Sequence, residues 1–151
     1  MKCEEILELA ERFEEKVINF RHDFHAHPEL SWEEERTSKI IEQVLRELGF
    51  DGVRRGFGGT ESGVVGDIAG KKEFPIVALR ADIDALPIVE EADVPWKSTN
   101  KGVMHACGHD AHAAILLGVA HVLASLRDKL PCKVRLIFQP AEESGVRSGA
   151  Q

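Results

Sequence analysis

The chain is 151 residues long, 43% hydrophobic and 30% charged, which suits one soluble globular domain and excludes a disordered or fibrous polymer. Its net charge of -7 argues against a nucleic-acid partner, because phosphate binding needs a basic surface. Three scattered cysteines give no disulfide framework, the acidic start MKCEEILELAERFEE is not a targeting peptide, and no apolar run reaches about 18 residues; a cytoplasmic protein without a membrane partner is expected.

Residues 3–21 read as a helix, with Ile6, Leu9, Phe13, Val17 and Phe20 along one stripe. Pro28 breaks the pattern within His25-Ala26-His27-Pro28-Glu29-Leu30. Ser31 is placed to cap a second helix, with Glu34 three residues on and Ile40, Ile41, Val44, Leu45 and Leu48 as its buried face; Gly49 ends it. Short strands near 52–57, 63–68 and 75–81 follow, the last two joined by the turn-forming Gly70-Lys71-Lys72. Residues 82–108 show no period and read as a long functional loop. Asp110 suits the N-cap of a helix running to about Lys129, with Leu116, Val119, Ala120, Leu123 and Leu126 facing inward. A buried strand over 134–138 then leads into Gln139-Pro140. Helices alternating with short apolar strands predict an α/β layered domain built on a mixed, mostly parallel sheet.

Three segments hold side chains that could carry chemistry. In Met104-His105-Ala106-Cys107-Gly108-His109-Asp110, residues two apart in extended chain point the same way, so Cys107 and His109 can converge on one ion. Asp110 could cap the helix and hydrogen-bond a ligand; a buried cysteine among surface histidines is the plainer alternative. In Gln139-Pro140-Ala141-Glu142-Glu143, at a strand end, one carboxylate can bind metal while the other faces substrate as a base; a solvated acidic pair is the alternative. In Leu79-Arg80-Ala81-Asp82-Ile83-Asp84, a strand runs into two carboxylates that would equally suit a turn. His25 and His27 could cap or pack, with no third ligand nearby in sequence.

Taken in order, RHDFHAHPELSWEE, LRADIDALPI, MHACGHDAHAAILLG and VRLIFQPAEE closely resemble the successive signatures of the M20 metallopeptidase family. The nearest branch holds amidohydrolases of N-acyl amino acids, hippurate and auxin conjugates, together with some carboxypeptidases. Ser31 stands where glycine is usual after His-Pro-Glu-Leu. The resemblance implies a zinc-peptidase-like catalytic domain with two divalent ions, interrupted by a smaller lid or dimerisation domain. In it, Cys107 and His109 match metal ligands, Glu143 a metal-binding carboxylate, and Glu142 the general base. Asp84 matches the acidic residue that supports the ligands, and Asp82 stands where other branches place a histidine ligand. The implied reaction is hydrolysis of the amide bond of an N-acyl amino acid or short peptide by metal-activated water. Zinc comes first among the metals, with manganese, cobalt or nickel as alternatives.

Family chains run well beyond this length, so 1–151 reads as an incomplete catalytic domain whose lid and two further histidine ligands lie elsewhere. Such a chain is expected to be a poor catalyst alone and to expose apolar surface around 134–138 and 111–129. The small-molecule substrate needs no macromolecular partner, and the implied dimerisation domain leaves room for a homo-oligomer. A non-catalytic remnant that binds metal or a partner chain is the alternative. A thiol enzyme using Cys107 with His105 or His109, or a structural zinc module, is a third reading; it leaves Glu142 and Glu143 unexplained.

Overall fold

The computed structural model describes residues 3–56, 59–145 and 148–150. Helix α1 (Cys3–Ala26) carries acidic residues in its first turn and meets no breaker until Pro28. It therefore runs five residues past the expected end at 21, and Phe24 extends the apolar stripe into the core, where the rest of the stripe is half-buried or, at Ile6, exposed. Helix α2 (Glu35–Glu47) buries Ile41 and Leu45 and ends at Gly49, whose φ of 75° is left-handed.

The expected cap on α2 is not made. Ser31 donates instead to Asp84 Oδ2 at 2.7 Å, and the free amides of Arg36 and Thr37 are taken by the Glu29 carboxylate, each at 2.8 Å. The N-cap residue is Glu34, which makes no side-chain cap. Trp32, at φ 71°, turns the chain between Ser31 and the helix, and this carries the hydroxyl away from the first turn.

Strands β1 (Asp51–Arg55), β2 (Val64–Ile68), β3 (Val77–Asp82) and β4 (Val134–Gln139) form one sheet in the order β1-β2-β4-β3. The first expected strand reached Phe57, which lies outside the described residues. The sheet is mixed, as the α/β pattern predicted, but it is not mostly parallel among these strands. β1 pairs antiparallel with β2, β2 pairs antiparallel with β4, and only β3 with β4 is parallel. The reason lies in the connections: a parallel pair needs a crossover, and helix α3 (His109–Ser125) supplies one between β3 and β4.

Helices α2 and α3 pack on the sheet and α1 lies along α3. Ile41, Leu45, Val64, Ile68, Leu117, Leu136 and Phe138 form the centre of the core. Helix α3 stops at Ser125, short of Lys129, and a 3-10 turn over Arg127–Lys129 follows. Of the five residues expected to face inward on α3, Leu116, Ala120 and Leu126 are buried, while Val119 and Leu123 are half-buried.

Exposed apolar surface does not gather on β4, which lies inside the sheet with Val134, Leu136 and Phe138 buried. Exposed large apolar side chains lie on the outer strand β3 at Val77 and Leu79, on α3 at Ile115, on α1 at Ile6, Leu7 and Ile18, and in loops at Phe74, Ile88 and Val89.

Candidate metal centre and active site

The parallel register sets Asp82 of β3 beside Gln139 of β4, so both strands end together, and the amide of Ile83 donates to Gln139 O at 3.1 Å. Side chains at the carboxyl ends of such strands share one crevice. The segment 105–108 enters that crevice and turns into α3 through Gly108, whose φ of 92° is a conformation that glycine adopts freely.

At this junction Cys107, His109 and Glu143 offer one donor atom each, all within 4.8 Å of one another. His109 Nδ1 donates to the backbone oxygen of Asp84 at 3.0 Å and lies 3.2 Å from its Oδ1. A carbonyl only accepts, which puts the proton on Nδ1 and leaves the Nε2 lone pair toward Glu142 Oε2 and Glu143 Oε1, 3.9 Å away in each case. Two donors on a tetrahedral zinc ion with bonds near 2.0–2.2 Å stand roughly 3.4 Å apart, so this spacing is close to that of shared ligands. Glu143 Oε1 is buried without a hydrogen-bond partner, which a cation would supply. Sulfur, nitrogen and carboxylate oxygen from three residues match the open three-ligand pattern of catalytic zinc.

Asp84 organises these groups. Its Oδ2 accepts from the Glu143 amide at 2.8 Å and from Ser31 Oγ at 2.7 Å. Burial pushes its carboxyl up, but the hydrogen bonds from His109, Ser31 and the Glu143 amide together hold it below the usual range. The same contact raises His109 above an ordinary histidine. The Cys107 thiol is pushed up, first by its hydrogen bond with Glu143 and then by burial and the neighbouring carboxylates. A thiol nucleophile needs the opposite shift, so this environment disfavours the thiol-enzyme reading.

Asp82 and His112 form a second possible group with His109. Because Nδ1 is committed to Asp84, His109 has one lone pair to give, and the two groups cannot both use it. Asp82 Oδ1 also accepts from Arg80 at 2.9 Å.

Asp110 does not cap α3, where Gly108 is the N-cap and no side-chain cap is made. Its Oδ2 bonds to His25 Nδ1 at 2.7 Å and pairs with Arg21 at 3.0 Å, so it ties α3 to α1 instead of supporting Cys107 or His109. The other ring nitrogen of His25 meets Glu90 Oε1 at 3.0 Å. His27 Nδ1 donates locally to the Asp23 backbone oxygen at 2.8 Å, and among the described residues it joins no ligand group.

Residues 78–151 match the profile described as Peptidase family M20/M25/M40. Over this segment the chain is similar to that family. Similarity to known proteins extends over nearly the whole chain. It is 49% identical over 142 residues to thermostable carboxypeptidase 2 of Saccharolobus solfataricus, covering 94% of this chain and 36% of that protein. It is 50% identical over 132 residues to N-acetyl-L-cysteine deacetylase of Bacillus subtilis, covering 87% of this chain and 31% of that protein. Among solved structures, a dinuclear metal-binding M20 peptidase of Bacillus subtilis superposes with a TM-score of 0.82 at 43% identity, covering 90% of this chain and 37% of the other. The chain thus spans about a third of the length of the curated relatives it matches.

Three buried polar residues take places that the sequence alone did not assign to them. Glu90 sits in the aperiodic loop, and only the fold carries it to His25. His105 is buried with neither ring nitrogen hydrogen-bonded, and burial pushes its pKa down to about 4. Glu34 looked like a capping partner for Ser31 and is instead a fully buried carboxylate beside the Ala141–Glu143 segment.

Proposed function

We propose that this chain carries the metal-binding part of a hydrolase that cleaves the amide bond of N-acyl amino acids or short peptides in the cytoplasm. The convergence of Cys107, His109 and Glu143 beside the Glu142 carboxylate supports this most directly. In this reading Cys107, His109 and Glu143 hold a divalent ion, zinc first, and Asp84 orients His109 and the Glu143 backbone from behind. Bound there, the ion would polarise the substrate carbonyl and acidify a water molecule. The Glu142 side chain is 43% exposed where Glu143 is 21% exposed, so Glu142 is the carboxylate that faces incoming substrate. It takes a proton from the attacking water and returns it to the departing amine. The names of the two relatives, a carboxypeptidase and a deacetylase, both fit this bond class.

No helix among the described residues is long and apolar enough to cross a membrane. One observation favours a second reading, a metal-binding chain without turnover. The two candidate ligand groups share His109, so the described residues provide for one ion at a time, where the full reaction uses two.

The test joins this chain to the remaining two-thirds of a relative and measures hydrolysis of an N-acetyl amino acid with zinc, manganese or cobalt. Glu142→Gln should lower the rate by about 10²–10⁴ while metal binding survives, because glutamine keeps the shape but accepts no proton. Glu143→Gln should weaken metal binding first, and excess metal should partly rescue it. The 151-residue chain alone should turn over near background. Turnover by the Glu142→Gln protein within a fewfold of its parent would remove the mechanism.

A further inference from the structure

Both non-glycine residues of positive φ among the described residues, Trp32 at 71° and Ala141 at 56°, flank one side chain. That side chain is Glu34, with no exposed surface. Its Oε1 accepts from the Ala141 amide at 2.8 Å across 107 residues of sequence. Burial raises its pKa, against hydrogen bonds from its own backbone, Ala141, Ser62 and Trp32. Left-handed backbone at a residue with a Cβ is strained and persists only where its surroundings impose it. Ala141 immediately precedes Glu142, and the next held amide, that of Glu143, is taken by Asp84. Two buried carboxylates therefore grip alternate amides of one short segment, and Glu142 lies between the grips.

We propose that Glu34 is a positioning residue, a clamp that imposes the left-handed turn at Ala141 and so sets where Glu142 and Glu143 stand relative to His109. It touches neither substrate nor ion. The cause of the strain is then the clamp itself: without the buried acceptor, Ala141 would relax toward negative φ and swing both carboxylates. Asp84 alone would not prevent this, because it holds only the far end of the segment. The inference rests on the roles proposed above for Glu142 and Glu143, but the backbone clamp can be measured without them.

Amide hydrogen exchange and the visible spectrum of bound cobalt(II) test it on the 151-residue chain. Glu34→Ala should speed exchange at Ala141 at least about tenfold while Leu136 and Ile137 of the β4 ladder keep their protection. Glu34→Gln retains an acceptor oxygen and should restore Ala141 to within about threefold of the parent. The cobalt spectrum should keep its thiolate band from Cys107 in Glu34→Ala, change in its ligand-field bands as Glu143 shifts, and return to the parent form in Glu34→Gln. Ala141→Gly guards against a Glu34→Ala chain that fails to fold. It removes the strained Cβ and should raise the thermal midpoint. Unchanged Ala141 exchange in Glu34→Ala, an equal rise along β4, an unchanged cobalt spectrum, or a lower midpoint in Ala141→Gly would each overturn the clamp. A chain that takes up no cobalt would sink the metal reading instead, and the exchange comparison would still decide whether Glu34 holds Ala141.

Discussion

The Asp84 carboxylate takes hydrogen bonds from the Ser31 hydroxyl and the Glu143 backbone and lies 3.2 Å from the His109 ring nitrogen, so its loss would free the Glu143 backbone and leave His109 held by the Asp84 carbonyl alone. Asp84→Ala should weaken zinc binding roughly 10–100-fold, as loss of a ligand's supporting partner typically does, with Asp84→Asn intermediate; a zinc titration reads this directly. His105 sets an acid limit. Its ring is buried without partners and its pKa falls from 6.5 to about 4, so the folded chain favours the neutral form. The stability this contributes is full above pH 6.5 and is lost as pH falls through 6.5 toward about 4, on the order of 3 kcal/mol in all. Denaturation measured along that interval with a chelator present should flatten in His105→Leu, whose side chain needs no partner. The liganding residues were legible because Cys-Gly-His and Glu-Glu are dense local patterns with metal-competent chemistry. Asp110 was misread because a helix-start aspartate is an ordinary cap, and nothing local to it announces His25, 85 residues away.

Helices were read from their apolar period, which survives as packing, whereas their ends depend on distant partners. Glu29 reaching the α2 amides and Ser31 reaching Asp84 are both consequences of where the 82–86 segment lies, and a helix-start pattern carries no word of it. The α1–α3 pair also hides a constraint. A Cβ built on Gly118 would lie 2.5 Å from Val17 Cγ2, so the helices approach closely there because that position has no side chain. Valine is stiff at χ1 and cannot easily turn aside. Gly118→Leu should cost about 1–3 kcal/mol by overpacking despite the better helix propensity of leucine, read as a lower urea midpoint at unchanged slope. A gain in stability would mean that the two helices can separate without loss.

For the molecule as a whole, the α/β class was legible and the strand order was not. Alternation of helix and strand suggests parallel pairing, but β2 has no helix before β3 and joins the sheet in the opposite sense to β4. Metal binding couples to this global fold, because the ligands come from two separate places in the chain, the 107–109 junction and Glu143. With zinc at about a hundredfold its dissociation constant, the chain should gain about 2.7 kcal/mol of stability, and a chelator should remove that gain; a chain equally stable with and without zinc would lack the site. The Asp84 junction also has a meaning in time. Its three partners lie 53, 25 and 59 residues away along the chain, and closing such loops comes late compared with winding a helix. Newly denatured chain should therefore recover its helical signal before it can capture an ion, so that the moment of cobalt capture in a refolding experiment marks the arrival of the last long-range contacts.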